Sequence, residues 1–227
     1  MNIMNKEIVD FLNANQQLIV VGDFCKLYEN AFTEFVIAGN YSGMSQLTEV
    51  FEAAGIDPLY YMNDIPSRYH FGSTLPKTYS IGNIDTIGSY AFAYTTGLDT
   101  LDISSVRFID NHAFFKSEIA VLEIPGSVKE IQPYTFASSE LVNVVINEGT
   151  TTILNEAFSH CYTLKDVWLP KSLTDVAASA FLGCTRLENI YYNSTSYDFY
   201  SLNFNFNMIG SNKVDVHCTD KVITFYG

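Results

Sequence analysis

Four cysteines and four histidines are the side chains of this chain that could bind a metal ion or pair a nucleophile with its base. They are Cys25, Cys161, Cys184 and Cys218, together with His70, His112, His160 and His217. A zinc site needs four ligands that converge, and no Cys-x-x-Cys pair occurs anywhere in the sequence. We therefore predict no metal and no cofactor. We expect the cysteines to be small core residues and the histidines to lie at the surface.

No catalytic motif accompanies these residues. The sequence contains no P-loop and no Gly-x-Gly-x-x-Gly, His-Glu-x-x-His or Gly-x-Ser-x-Gly pattern. A catalytic triad needs side chains that converge, whereas the histidines occupy unmatched positions of the repeat described below. We predict that the protein is not an enzyme and has no catalytic residues. An enzyme confined to residues 1–63 is disfavoured, because that segment has no histidine and only one cysteine.

Composition and charge exclude further classes of protein. The chain has 227 residues, of which 48% are hydrophobic, and its 12 basic and 25 acidic side chains give a net charge of -13. This hydrophobic content supports a folded core rather than a disordered chain. A surface this acidic cannot neutralise phosphates, so we predict no direct nucleic-acid binding.

The sequence shows no segment for export or for crossing a membrane. The apolar run near its start, Leu18 to Val21, is four residues long, whereas a transmembrane helix needs about 18 apolar residues. A secretory signal needs a basic start followed by an apolar run of about seven or more residues. We therefore expect a cytoplasmic protein without membrane contact, and we leave the oligomeric state open.

A repeat of 22 or 23 residues runs through the centre of the chain. Each unit has a phenylalanine after a small residue, then an apolar triplet typified by Leu-x-x-Leu-x-Ile. The phenylalanines are Phe92, Phe114, Phe136, Phe158 and Phe181. One such unit cannot bury its apolar face alone, so successive units must stack. The repeat predicts a solenoid whose short strands lie parallel, about 4.8 Å apart.

The repeat divides the chain into three parts. Residues 64–195 contain about six rungs, the first of them degenerate, with Tyr69 expected at the phenylalanine position. Residues 1–63 show helical spacing, including a predicted helix over 45–54, and form an N-terminal helical cap or small domain. Residues 196–227 no longer repeat and are rich in aromatic residues. They are expected to cover the last open rung as a C-terminal cap.

The repeat resembles the BspA-like class of leucine-rich repeats. Its clearest copy contains Ala157-Phe158, Cys161, Leu164, Val167, Leu169-Pro170 and Leu173. The resemblance extends over about residues 65–220 and implies an α+β repeat. This is a right-handed leucine-rich-repeat solenoid with stacked short parallel strands, a helical N-terminal cap and a β-rich C-terminal cap. It also implies a binding scaffold, since members of the class are typically binding proteins and many are found on cell surfaces.

Alternation along each predicted strand turns two positions of the triplet away from the core. Stacking aligns these positions into one face, which is acidic at its N-terminal end and contains the sole tryptophan toward its C-terminal end. The candidate partner-binding residues are Asp102, Glu123, Val145, Asp166, Trp168 and Tyr191. Trp168 and Tyr191 would be the anchors, because exposed aromatic residues dominate interface hot spots, and the acids would steer a basic or polar partner. Coverage of this face by the caps or by a second copy is the alternative.

These observations favour a non-catalytic scaffold that binds a protein partner. A second hypothesis is an acidic inhibitor of an intracellular nucleic-acid-processing or defence machine, encoded by a phage. A surface adhesin is disfavoured, because the chain shows no export signal or anchor. Strong salt dependence of binding would favour the inhibitor, and weak dependence would favour the aromatic anchors.

Overall fold

The N-terminal part of the molecule contains short helices. The computed structural model describes residues 6–21, 24–31, 34, 47, 50, 64–65, 67–202, 204–211 and 213–226. Its first helices are α1 (Lys6–Ala14), α2 (Gln16–Val21) and α3 (Phe24–Ala31). Ile8, Phe11 and Leu27 are buried, so each of α1 and α3 turns an apolar face inward. The predicted helix over 45–54 lies outside the described residues except for Leu47 and Val50, which are both helical.

Beyond the helices, the described chain is a solenoid of about seven turns with stacked parallel strands. This confirms the predicted repeat fold. The strands are β1 (Asp64–Ile65), β2 (Thr78–Ser80), β3 (Thr86–Ile87), β4 (Thr100–Asp102), β5 (Phe108–Ile109), β6 (Val121–Ile124), β7 (Glu130–Ile131), β8 (Asn143–Ile146), β9 (Thr152–Ile153), β10 (Asp166–Leu169), β11 (Asp175–Val176), β12 (Asn189–Tyr192), β13 (Lys213–His217) and β14 (Val222–Tyr226). Two short helices, α4 (Ser196–Tyr200) and α5 (Phe206–Ile209), lie between β12 and β13.

The strands form one long sheet and two short ones. The long sheet has the order β14-β13-β12-β10-β8-β6-β4-β2, parallel throughout except for the antiparallel last pair, β13 and β14. The short sheets, β1-β3-β5 and β11-β9-β7, contain the second strand of each turn. Residues of the long sheet alternate between buried and exposed, as in β6 and β10. One face of this sheet therefore covers the core and the other faces solvent.

A column of stacked phenyl rings fills the side of the core opposite the long sheet. We call it the phenyl ladder. Its neighbouring rings lie 5.1 to 5.5 Å apart between centroids and are nearly parallel. Its members are Phe92, Phe114, Phe136, Phe158, Phe181 and Phe204. Phe204 lies in the segment predicted as the C-terminal cap, so the ladder continues one ring beyond the recognisable repeats.

His70, not Tyr69, occupies the ladder position of the first turn, so the prediction for Tyr69 was wrong. The backbone N–H of His70 donates to Ala91 just as that of Phe92 donates to Ala113, and the two rings lie 5.0 Å apart. His70 is 3% exposed, and its Nε2 has no hydrogen-bond partner in the described chain. The expectation that all four histidines lie at the surface was therefore also wrong for His70.

Backbone geometry repeats on either side of each ladder ring. Tyr90 and Tyr94, two places before and after Phe92, both have a φ of 58°. This left-handed conformation costs a non-glycine residue about 1–2 kcal/mol. The neighbouring turn offsets part of that cost, because the N–H of Tyr94 donates to the carbonyl of Phe115 at 2.9 Å. Hydrogen bonds between turns thus hold a backbone that single turns would not adopt.

Replacement of His70 by phenylalanine should stabilise the protein. Burial lowers the pKa of His70 from 6.5 to about 3. Between these values the unfolded chain binds a proton that the folded chain does not, so His70 lowers stability as the pH falls below 6.5. His70→Phe should raise the free energy of unfolding at pH 7 by about 1–3 kcal/mol, because a buried unpaired nitrogen is removed. Urea denaturation at pH 7 and at about pH 4.5 should show the gap between the two proteins widening in acid. A gap that stays constant with pH would contradict this assignment.

Gly126 should tolerate no side chain, because the next turn lies directly against it. A Cβ at this position would overlap the carbonyl oxygen of Glu148. Gly126→Ala should therefore cost about 2–3 kcal/mol, as expected for overpacking that shifts the backbone. Gly82→Ala is the matched control: Gly82 has a φ of +65°, but a Cβ added there would meet no heavy atom within 4 Å. It should cost only about 1–2 kcal/mol from backbone strain, as compared by thermal or urea unfolding.

Candidate functional site

The solvent face of the long sheet contains two parallel rows of side chains. Strand pairing fixes these rows, since Trp168 pairs with Val145 on one side and with Tyr191 on the other, and Tyr191 pairs with His217. The first row contains Thr100, Val121, Asn143, Asp166, Asn189 and Asp215. The second contains Glu123, Val145, Trp168, Tyr191 and His217, preceded on β4 by Asp102. The six residues predicted from the sequence all lie in these two rows.

Three aromatic rings stack along the second row, and we call them the aromatic stack. Trp168 and Tyr191 lie 4.8 Å apart between ring centroids, at an interplanar angle of 12°. Tyr191 and His217 lie 4.7 Å apart at 18°. Trp168 is 36% exposed, and the other two rings are partly exposed. The edges of the three rings therefore form one continuous aromatic ridge at the C-terminal end of the face.

His217 belongs to this site but was not among the residues predicted from the sequence. Val214 and Val216 point inward on β13, and strand alternation therefore turns His217 outward beside Tyr191. The same period-two pattern predicts the outward direction of His217. The irregular spacing between β12 and β13 does not reveal that His217 pairs with Tyr191. This spacing is irregular because the segment between the two strands contains α4 and α5.

A chain of hydrogen bonds fixes the base of the aromatic stack. The Nδ2 of Asn189 donates to the Oδ1 of Asp166 at 2.7 Å, and the Oδ1 of Asn189 accepts from the Nε2 of His217 at 3.1 Å. In the amide orientation that suits its neighbours, Asn143 donates to the other carboxylate oxygen of Asp166 at 3.2 Å. Asp166 is half-buried. Its carboxylate therefore accepts hydrogen bonds from one asparagine on each of the two adjacent strands.

The other two acids predicted for this face, Asp102 and Glu123, are exposed and have no cationic partner among the described residues. Asp102 accepts the backbone N–H of Ser104 at 3.0 Å, and this bond lowers the pKa of Asp102. Glu123 accepts from the side-chain amide of Asn147 at 2.8 Å. Each of these two carboxylates keeps free acceptor positions that face solvent. Asp166 instead accepts hydrogen bonds from two asparagine amides.

A cleft of about 400 Å³ opens beside the aromatic stack, where the strands end. Its wall includes Glu148, whose carboxylate accepts the backbone N–H groups of Lys171 and Ser172 and the side-chain amide of Asn193. These bonds tie three successive turns together. Desolvation raises the pKa of Glu148, but the hydrogen bonds together lower it by more, so the net shift of the pKa is downward. The cleft wall is thus held by an ionised carboxylate.

Two of the cysteines, Cys161 and Cys184, lie in the core of the solenoid. Cys161 and Cys184 are buried, and their thiols donate to the carbonyl oxygens of Phe136 and Phe158, each at 3.1 Å. The contact with Cys161 and burial raise the pKa of Cys184 well above its ordinary value. No group of three or more metal-ligating side chains converges among the described residues. The geometry agrees with the prediction that these two cysteines are small core residues.

A second ladder of rings lies on the opposite side of the molecule, and each of its end rings contacts a charged side chain. Tyr90, His112 and Tyr134 stack at 4.7 and 4.9 Å. The guanidinium of Arg68 lies 5.3 Å from the Tyr90 ring, and the hydroxyl of Tyr134 donates to Glu156 at 3.1 Å. Its polar ends are thus already paired within the protein, and it supports the turns rather than offering an open surface.

Within the described part of the chain, no helix is long and apolar enough to cross a membrane.

Comparison with known proteins identifies the repeat. The model of the BspA type leucine rich repeat region matches residues 67–212 in six copies. A leucine rich cell surface protein from Faecalibacterium prausnitzii is 29% identical, with a TM-score of 0.53 over 56% of this chain and 34% of its own. A leucine-rich repeat protein from Eubacterium ventriosum is 16% identical, with a TM-score of 0.49 over 63% of this chain and 41% of its own. The chain thus matches only a third to two fifths of these structures, and a search of curated proteins finds no significant match.

Asp166 should contribute to stability, unlike the exposed acids of the same face. Asp166→Ala leaves the amides of Asn143 and Asn189 without their acceptor. It should lower the free energy of unfolding by about 1.5–3 kcal/mol, the range for hydrogen bonds to a charged group. Glu123→Ala is the control and should change it by no more than about 0.5 kcal/mol. Urea unfolding followed by the emission of Trp168 measures both, and equal effects of the two substitutions would refute this distinction.

Proposed function

Because the chain belongs to the BspA-type leucine-rich repeat family, we propose that it is a non-catalytic scaffold that binds a protein partner through the solvent face of its long sheet. The anchors are Trp168 and Tyr191, now joined by His217. Asp102 and Glu123 guide the partner's approach, and Val145 lies between the acids and the aromatic stack. Asp166 acts by holding the anchors in place.

The observation that supports this proposal most directly is the open aromatic stack. A tryptophan that is 36% exposed on a flat sheet face leaves apolar surface in contact with water. Tryptophan and tyrosine combine a large apolar area with few rotatable bonds, and they are enriched among residues that dominate binding energies. Among the described residues, the C-terminal cap contributes His217, which stacks on Tyr191, while Trp168 keeps 36% of its surface exposed.

Rigidity explains how such a face could bind well. The rings are held by stacking at 4.7 to 4.8 Å and by the hydrogen bonds of Asn189. A side chain that is already ordered loses little conformational entropy when a partner docks, which leaves more of the contact energy as affinity. The partner would meet a preformed surface and need not reorganise it.

The cell surface is a second possible place for this function. The Faecalibacterium prausnitzii structure, 29% identical, is described as a leucine rich cell surface protein. A surface role would keep the same binding face and exchange the expected cytoplasmic partner for an external one. Fractionation of the source cells, with protease treatment of intact cells, distinguishes the two locations.

The binding face can be tested by affinity capture of partners from a native lysate. Wild-type protein should retain a partner that the Trp168→Ala/Tyr191→Ala double variant loses, because the double variant removes both anchors. The matched control is Tyr162→Ala/Tyr197→Ala, which removes two aromatic rings that are 56% and 81% exposed elsewhere. The control should bind like the wild type.

Retention of the partner by the anchor variant, with loss in the control variant, would refute the proposed face. Repeating the capture between about 0.05 M and 0.5 M salt separates the acidic-inhibitor hypothesis from aromatic anchoring. Binding that disappears with salt and is insensitive to the anchor variant would favour the inhibitor.

A further inference from the structure

Two clefts on the sheet face share one wall residue, and we call the two together the groove. The aromatic cleft, about 400 Å³, is lined by Trp168, Tyr191 and His217. The acidic cleft, about 390 Å³, is lined by Asp102 and Glu123. Asn147 belongs to the walls of both, and its amide donates to Glu123 at 2.8 Å. The groove thus runs along the solenoid axis from a carboxylate end to an aromatic end.

The acidic end is suited to a cation. Asp102 and Glu123 face the same cleft, and neither forms an ion pair with a described residue. Nearby acids differ in this respect: Asp99 lies 3.4 Å from Lys77, and Asp85 lies 3.6 Å from Arg107. Two adjacent carboxylates without a counter-ion repel each other, so a cation between them would be attracted by both. The positive group must therefore come from the ligand.

The distance between the two ends suits an extended polypeptide. Asp102 and Trp168 lie on β4 and β10, which β6 and β8 separate, so three strand spacings of about 4.8 Å put the two ends about 14 Å apart. An extended chain advances about 3.4 Å per residue, which makes this distance about four residues. Side chains of an extended chain alternate, so residues four apart point the same way. Both could then enter the groove together.

We propose that the groove binds an extended segment of the partner protein in which a lysine or arginine and an aromatic residue lie four positions apart. The cation pairs with Asp102 and also faces Glu123, and the aromatic ring packs against Trp168, the first ring of the aromatic stack. This inference rests on the proposed function and names the chemistry of the segment that the sheet face recognises. The three intervening residues cross Asn147, which lines both clefts, and Val145, which lies between Glu123 and Trp168 in the second row.

Synthetic peptides test this spacing, with the emission of Trp168 as the signal because the chain has one tryptophan. The probe is acetyl-Lys-Thr-Ser-Thr-Phe-amide, together with its reversed sequence. Companion peptides separate Lys and Phe by two or three positions. In at least one chain direction the four-position peptide should bind about tenfold or more tighter than its companions, which corresponds to about 1.4 kcal/mol. Norleucine in place of the lysine should remove that advantage.

Substitutions in the protein separate the two ends of the groove. Asp102→Asn/Glu123→Gln should bind the lysine and norleucine peptides equally, because the carboxylates are gone. The control Glu140→Gln/Asp175→Asn makes the same change of charge at exposed acids outside both clefts and should keep the preference for lysine. If that preference disappears equally in both variants, it reflects net charge alone, and the inference is overturned.

Other outcomes separate failure of this inference from failure of the proposed function. Equal affinity at every spacing, or no saturable change in emission with any peptide, overturns the inference. The proposed function then still depends on the capture experiment with Trp168→Ala/Tyr191→Ala. Saturable quenching by a neutral oligosaccharide such as maltohexaose, without any response to peptides, would show that the groove binds sugar, and it would overturn both.

Discussion

Hydrogen bonding between successive turns is the constraint on which the rest of this structure depends. The N–H groups of one turn donate to the carbonyls of a neighbouring turn along both kinds of sheet and through the ladder turns. This fixes the spacing of the turns at close to the strand separation of a sheet. Aromatic rings stacked at 5.1 to 5.5 Å match that spacing, which explains why flat side chains recur at the ladder position. A residue that is not flat would leave a void or force two turns apart.

The same constraint organises the surface. Because the spacing between turns is fixed, an outward residue meets its counterpart in the next turn, 21 to 26 positions further along the chain. Any run of aromatic residues at one outward position therefore becomes a stack, whether or not it has a role in binding. The stack of Trp168, Tyr191 and His217 differs from that of Tyr90, His112 and Tyr134 in what its end rings contact. The second is closed by Arg68 and Glu156, while the first opens into a cleft.

The sequence was sufficient to predict the repeat, its inward positions and the outward rows, because these follow from a period that survives in most units. It was insufficient where the residue type at a repeat position changes although the backbone of the turn keeps the same conformation. His70 replaces a phenylalanine, and only the left-handed residues around it, Arg68 and Gly72, mark the position. His217 follows an irregular insertion. The engagement of Asp166 by two asparagine amides depends on side-chain rotamers, which no pattern of residue types can specify.

Inward and outward positions on one strand are subject to separate physical requirements, because only the inward side chains must fill the core. Val144, Val167 and Ile190 must fill the core at fixed spacing, so their size and shape are restricted. Their neighbours Val145, Trp168 and Tyr191 contribute little to that packing and are free to vary in chemistry. Asp166 and Asn189 are the exceptions, since their hydrogen bonds link the outer face to stability. The proposed binding face is thus adjustable along its second row and restrained at Asp166 and Asn189 in its first.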